Sequence, residues 1–404
     1  MKRNWKELLR SIVGTIALLV IGGGAVFVIS LFAFMGMVPL YVAKVIPLVL
    51  GLGVVYLALL EWINKPMAQK IGKGYLVFLL ICGCFIGYGA YIDSIPVMED
   101  RDSLLYEYIP NEEGTKAVRL EEESTLKFDE AAIRMDGATA LYPVYAAFAQ
   151  AVYPPVEYRV YDSDYDPKYG YNVITCTGTT MAYERLINGE TDIIFVGGPS
   201  ADQLAMAEEA GMEFHLTPIG REAFVFFVIG ENPVTGLTVE QIQGIYTGEI
   251  TNWREVGGKF QKIRPYQRAE NSGSQTALQR LMAGLPLMEP EKEDRIGGMG
   301  GIITSVASYR NHKNAIGFSF RFYSTEMVRN EQIRLLALNG VEPTVETIRD
   351  GSYPISSNFY AVTASPIGEP APEEQNPDLK KLIDWILSEQ GQWIIEQTGY
   401  VSVN

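Results

Sequence analysis

The chain has 404 residues, 48% hydrophobic and 20% charged, and its 33 Lys and Arg against 48 Asp and Glu leave a net charge of −15. Two or three domains follow at roughly 100–200 residues each, while three cysteines and an ample aliphatic content exclude a disulfide scaffold, a collagen and a disordered chain. Nucleic acid is excluded as a partner on the same balance, since binding to a phosphate backbone rests on a surplus of Lys and Arg.

The charge is unevenly spread. Residues 1–93 carry eight basic and three acidic side chains, a net of +5, which leaves −20 for 94–404. Three uncharged apolar runs predict transmembrane spans at about 11–37, 41–62 and 74–92, because some 18 or more such residues match a hydrocarbon core of about 30 Å. A buried helical hairpin of a soluble protein is the competing reading, but runs with no polar face have no side to turn to water. Lys2, Arg3, Lys6 and Arg10 precede the first run and Lys65, Lys70 and Lys73 the third, whereas the first turn holds only Lys44. Basic residues mark the cytoplasmic side. The expectation is a multi-pass protein of the cell membrane whose C-terminal domain, beyond Asp93, is extracytoplasmic. A cleaved signal peptide is a poorer reading of the first run, which is long and lacks a small-residue cleavage site.

An acid-rich stretch at 94–126 reads as a linker, and 127–404 as a solute-binding domain. Cys176 is the only cysteine beyond residue 93, so no internal disulfide is expected there. From residue 127 short strands and helices alternate. Residues 132–135 read as a strand, 136–139 as a turn and 143–152 as a helix with Pro143 in its first turn. Residues 172–174 are strand-like, 177–180 a turn, and 181–188 a helix closed by Gly189. The run 192–196 has the unbroken apolar character of a buried parallel strand. Further strands are predicted at 223–229 and 359–363, helices at 239–247 and 274–283, and an amphipathic C-terminal helix at 379–397. Such alternation makes the domain α/β with mainly parallel sheets. The stretch 297–301, Gly-Gly-Met-Gly-Gly, lacks the Lys-Ser/Thr of a phosphate loop and the spaced glycines of a dinucleotide fold, so it reads as a flexible turn.

One arrangement occurs three times: a strand, a short loop of small and hydroxyl residues, then a helix start. Gly137-Ala138-Thr139-Ala140, Gly178-Thr179-Thr180 and Asn271-Ser272-Gly273-Ser274 each place open backbone N–H groups and hydroxyls at a helix N-terminus. Such ends attract anions, because orphan donors and the positive end of the helix dipole point the same way. Any single Ser or Thr there is ordinarily an N-cap. Three together, with Arg268 four residues before Ser272, form a candidate oxyanion site.

These stretches, with Tyr246-Thr247-Gly248-Glu249-Ile250-Thr251-Asn252-Trp253 and Ala315-Ile316-Gly317-Phe318, resemble the substrate-binding protein of bacterial phosphate ABC transporters, in the type II periplasmic-binding-protein class. The resemblance covers most of the chain after Ile133. It implies a two-lobed fold, with lobe 1 about 127–221 and 353–404 and lobe 2 about 222–351. It implies that Thr139, the Ala140 backbone and Thr179 hold the ligand from one lobe, and Arg268, Ser272, Gly273 and Ser274 from the other. Glu270 would hold the guanidinium of Arg268, or else be an exposed loop acid. The implied partners are inorganic phosphate or a related oxyanion and an ABC permease in the membrane.

One position departs from the family. An Asp that accepts a hydrogen bond from protonated phosphate is expected after the 192–196 strand, and Gly197 stands there; Ser200 and Asp202 are the nearby substitutes. The alternative function is therefore a sensor or interaction protein that keeps the binding fold without transport. An enzyme is not expected, since His215 and His312 are the only histidines and no metal-ligand spacing or cofactor motif is present.

Overall fold

The computed structural model describes residues 5–34, 40–60, 62–93, 103–156, 158, 173–290, 295–296, 314–328 and 332–403. Asn172, the 297–301 glycines and His312 lie outside these residues. The chain forms two compact units, Met1–Pro96 and Val97–Asn404.

The first unit is three helices, α1 (Trp5–Phe34), α2 (Leu40–Leu59) and α3 (Lys65–Asp93). Glycines let them approach closely: a Cβ on Gly22 of α1 would come within 2.5 Å of the Val54 side chain, and one on Gly53 within 2.7 Å of the Tyr75 hydroxyl. Tyr75 donates to the Val49 carbonyl at 2.8 Å and Tyr56 to that of Ala68 at 3.1 Å. Large apolar side chains such as Ile21 and Leu80 stay exposed. Two stretches among the described residues, Glu7–Val28 and Lys65–Tyr88, are long and apolar enough to cross a membrane, and Val45–Leu59 is a shorter apolar helix. The lysines at 65, 70 and 73, expected in a loop, lie in the first turns of α3.

The second unit begins earlier than the linker expectation allowed. Its first helix, α4 (Ser103–Tyr106), and the chain after it bury Leu105, Tyr108, Ile109 and Ala117 in the same core as the later strands. Gln150 holds this segment, accepting from the Asn111 amide at 3.0 Å and donating to the Ala117 and Val118 carbonyls. Residues 103–126 are therefore docked rather than a free tether, because apolar side chains interrupt the acidic ones.

Lobe 1 has the strand order β1 (Met135–Gly137), β2 (Ile193–Gly197), β11 (Ser356–Pro366) and the first half of β3 (Met212–Ile229). β1 and β2 are parallel, whereas β11 is antiparallel to both neighbours. The short β12 (Val401–Ser402) also pairs with β3, opposite Arg221 and Gly220. In lobe 2 the second half of β3 pairs antiparallel with β8 (Ala315–Phe320) and β9 (Ile333–Leu335), and β8 lies parallel to β5 (Arg264–Pro265). Two further parallel pairs are β4 (Gly236–Leu237) with β10 (Ala337–Leu338), and β6 (Gln267–Arg268) with β7 (Arg295–Ile296). The sheets are thus mixed rather than mainly parallel. The predicted strand at 223–229 is only the lobe 2 half of a strand of 18 residues that runs through both lobes. Ile193 to Val196 and Val225 to Val228 have no exposed surface, so both sheets are covered on each face.

Candidate functional site

Helix α5 (Tyr142–Val152) follows β1 through a 3₁₀ turn, Thr139–Leu141. The Ala138 amide donates to the Phe195 carbonyl at 2.9 Å, which docks this turn on β2. Gly137 is required by close approach, since a Cβ there would sit 2.4 Å from the same carbonyl. Helix α6 spans Thr179–Ile187, two residues earlier than predicted, because Gly178 takes φ 84 and serves as a cap without a side chain. Both turns thereby present first-turn N–H groups that no intrahelical carbonyl can reach.

Asp136, read from sequence only as part of a turn, ties the two loops together. Fully buried, it accepts from the Thr177 amide at 2.9 Å, the Thr177 hydroxyl at 2.8 Å and Arg185 Nη1 at 2.6 Å. The Cys176 thiol, pushed up to about 12 by burial, lies against the hydroxyls of Tyr145 and Thr139.

The third loop comes from lobe 2. β6 delivers Arg268, 5% exposed, whose burial lowers its guanidinium to about 10. Helix α8 (Gly273–Met282) starts after Asn271, which adopts φ 64. Ser272 caps α8, accepting from the Gln275 amide and donating to the Ala269 carbonyl at 2.8 Å. Ser274 is fully buried, and its hydroxyl has no hydrogen-bond partner among the described residues. Glu270 is exposed and accepts from Gln279 at 2.6 Å.

The lobes meet at Asn271. Its carbonyl accepts from the Thr180 hydroxyl at 3.1 Å and the Gln203 amide at 3.1 Å, and its side-chain oxygen accepts from Ser200 at 2.9 Å. Arg280 reaches the Pro199 carbonyl at 2.8 Å. A Cβ on Gly273 would stand 3.0 Å from the Thr179 hydroxyl, so the two helix starts nearly touch. These contacts close the lobes over a cavity of about 30 Å³, which Ala140, Thr179 and Gly273 line together with Gly197, Glu222 and Tyr400. Thr139 and Ser274 adjoin lining residues in the chain; Arg268 and Ser272 are not in the lining. The Tyr400 hydroxyl donates to the Ala140 carbonyl.

Gly197 ends β2 at the cavity, and a Cβ there would meet nothing within 4 Å. The two nearby substitutes are placed elsewhere: Ser200 caps helix α7 (Ala201–Glu209) in a box with Gln203, and Asp202 is exposed. Sequence reasoning placed Asp136 and Asn271 in their loops without finding the bonds they make, and missed Glu222 and Tyr400. Only Glu222, an acid at the head of an apolar run, left a signal.

Two lobes sharing continuous strands, with helix starts from both lining one small cavity, define a two-lobed binding-protein fold. A sequence model of the PBP superfamily domain matches residues 115–390, and the chain belongs to that superfamily. The phosphate-binding protein PstS of Borreliella burgdorferi is 25% identical over 190 residues, which cover 46% of this chain and 65% of the relative. PstS of Bacillus subtilis is 25% identical over 236 residues, 54% of this chain and 73% of the relative. A Clostridium perfringens protein, described as a phosphate ABC transporter substrate-binding protein and solved with bound phosphate, superposes with a TM-score of 0.51 at 25% identity. That match covers 67% of this chain and 99% of the other. The resemblance read from the motifs and the two-lobed α/β fold are both borne out.

Proposed function

We propose that the chain captures phosphate, or a closely related oxyanion, between its lobes and delivers it to an ABC permease, with the N-terminal helices as the membrane anchor. The observation that carries this reading is the convergence of Ala140, Thr179 and Gly273, from three separate loops, on one cavity. Backbone donors at three helix starts give several short bonds to one tetrahedral anion, and the buried Arg268 offsets its charge nearby. At about 30 Å³ the cavity suits a small ion rather than the drug-sized ligands of pockets of roughly 300–1,000 Å³. The relatives' names as phosphate-binding proteins support the same solute and point to binding rather than catalysis.

The site reading keeps Thr139, Ala140, Thr179, Arg268, Gly273 and Ser274 as ligand residues. Ser272 holds its helix start in place through its own cap bonds. The lobe boundaries follow β3 and β11, with crossings next to Arg221 and at Ser356. Three crossings, the middle one by α2, put the binding unit outside the membrane, whereas two crossings by α1 and α3 alone would return it to the side of the N-terminus. A reporter fused after Asn404 decides this: activity confined to the outside supports three spans, and cytoplasmic activity overturns them.

Calorimetry of the full-length chain in nanodiscs, titrated with sodium phosphate, tests capture. Binding is expected, and a folded protein that binds no oxyanion overturns it. That second result favours the sensor reading, for which the missing acid at Gly197 is the supporting observation.

A further inference from the structure

We propose that Glu222 recognises the protonated oxygen of the captured anion, in place of the acid missing at Gly197, and so sets the preference for hydrogen phosphate over sulfate. The inference rests on the phosphate reading above.

Glu222 stands on β3 at the crossing between lobes and lines the cavity with Ala140, Thr179 and Gly273. No other acid is among the lining residues described. It is 4% exposed, so its charge is costly to keep without partners. Two main-chain donors reach it: the Ala223 amide at 2.8 Å on Oε1 and the Phe322 amide at 3.1 Å on Oε2. Arg321 Nε stands 3.7 Å from Oε1, beyond hydrogen-bond distance, and its Nη2 is engaged by the Gly399 carbonyl. Tyr400, the other titratable group facing it, gives its hydroxyl to Ala140. Each carboxylate oxygen therefore keeps a second lone pair. Burial outweighs these partners and pushes the carboxyl up to about 7.

An acid in an anion cavity discriminates by proton count. Hydrogen phosphate carries an O–H that donates to the carboxylate, which turns a repulsion into a charge-assisted bond. Sulfate is fully ionised near neutral pH and meets the same group as an unrelieved like charge. Gly197 borders the same cavity with open space for a side chain, so the acid can be moved across it by substitution.

The test is calorimetry of the full-length chain in nanodiscs with sodium phosphate and sodium sulfate at pH 8, where Glu222 is ionised and phosphate still carries one proton. Glu222→Gln is expected to cut the phosphate-to-sulfate preference at least tenfold, and adding Gly197→Asp to that variant should restore it. Gly197→Asp alone, which leaves Glu222 in place, should weaken phosphate binding, because two acids then share one proton. Phosphate binding with an unchanged preference in Glu222→Gln, or a gain in phosphate affinity with Gly197→Asp alone, overturns the role of Glu222 and leaves phosphate capture standing. Wild-type protein that binds neither anion overturns both.

Discussion

Behind the lobe 1 wall of the cavity, Asp136 takes three hydrogen bonds from Thr177 and Arg185, and the loops it joins are fixed within their own lobe. Behind the lobe 2 wall, Ser274 is buried with its hydroxyl unengaged among the described residues, and burial lowers the Arg268 guanidinium to about 10. The buried carboxylate of the first side is satisfied by its own lobe. The second keeps the Ser274 hydroxyl without a hydrogen-bond partner among the described residues, so under the proposed phosphate reading it is the side that holds a donor in reserve.

Substitutions on the two walls should therefore be read out by different measurements. Asp136→Ala is expected to have the largest effect: among the described residues it leaves Arg185 with only Glu190, at 3.4 Å, as an ion-pair partner, and breaking a buried pair costs roughly 3–5 kcal/mol. Denaturant unfolding checks this, and a loss under about 1 kcal/mol would mean that the first wall is not held by this acid. Next comes Glu222, between the walls. Its folded pKa, about 7, lies above an unfolded value of about 4.3, so the folded state keeps a proton that the unfolded state has lost. Stability should then fall as pH rises from about 4.3 to 7, by roughly 3 kcal/mol from this group. Melting curves of Glu222→Gln across that window should be correspondingly flatter.

Arg268→Ala should weaken phosphate binding about 100-fold, near 2.7 kcal/mol, in calorimetry. An affinity within threefold of wild type would erase the contrast between the walls. The smallest effect is expected from Asn271→Ala, which removes the side-chain bond to Ser200 but keeps the carbonyl that Thr180 and Gln203 reach. One neutral bond is worth about 1 kcal/mol, or about fivefold in affinity.

Much of this was legible in the chain. Thr179 and Gly273 belong to loops whose glycines and hydroxyls mark helix starts, a local signal, and both line the cavity. Strand β3 was only half seen, because its first half is partly exposed and carries no buried run such as 223–229. The docking of 103–126 was hidden by composition, since Leu105 and Tyr108 are sparse among acids and find their core far along the sequence. Asn271 and Tyr400 act through partners roughly 70 and 260 residues away, a distance at which no local pattern exists.

Strand β11 lies between β2 and β3, yet it is made last of the three. While the chain is being synthesised, residues 135–229 must wait with unpaired strand edges until 356–366 emerge, roughly 6–25 s at ordinary translation rates. Open edges of this kind invite pairing with other chains. The nascent protein is thus most vulnerable to aggregation after lobe 2 is nearly made, and a ribosome stalled anywhere before residue 356 releases a product in which neither the lobe 1 sheet nor the cavity can be completed.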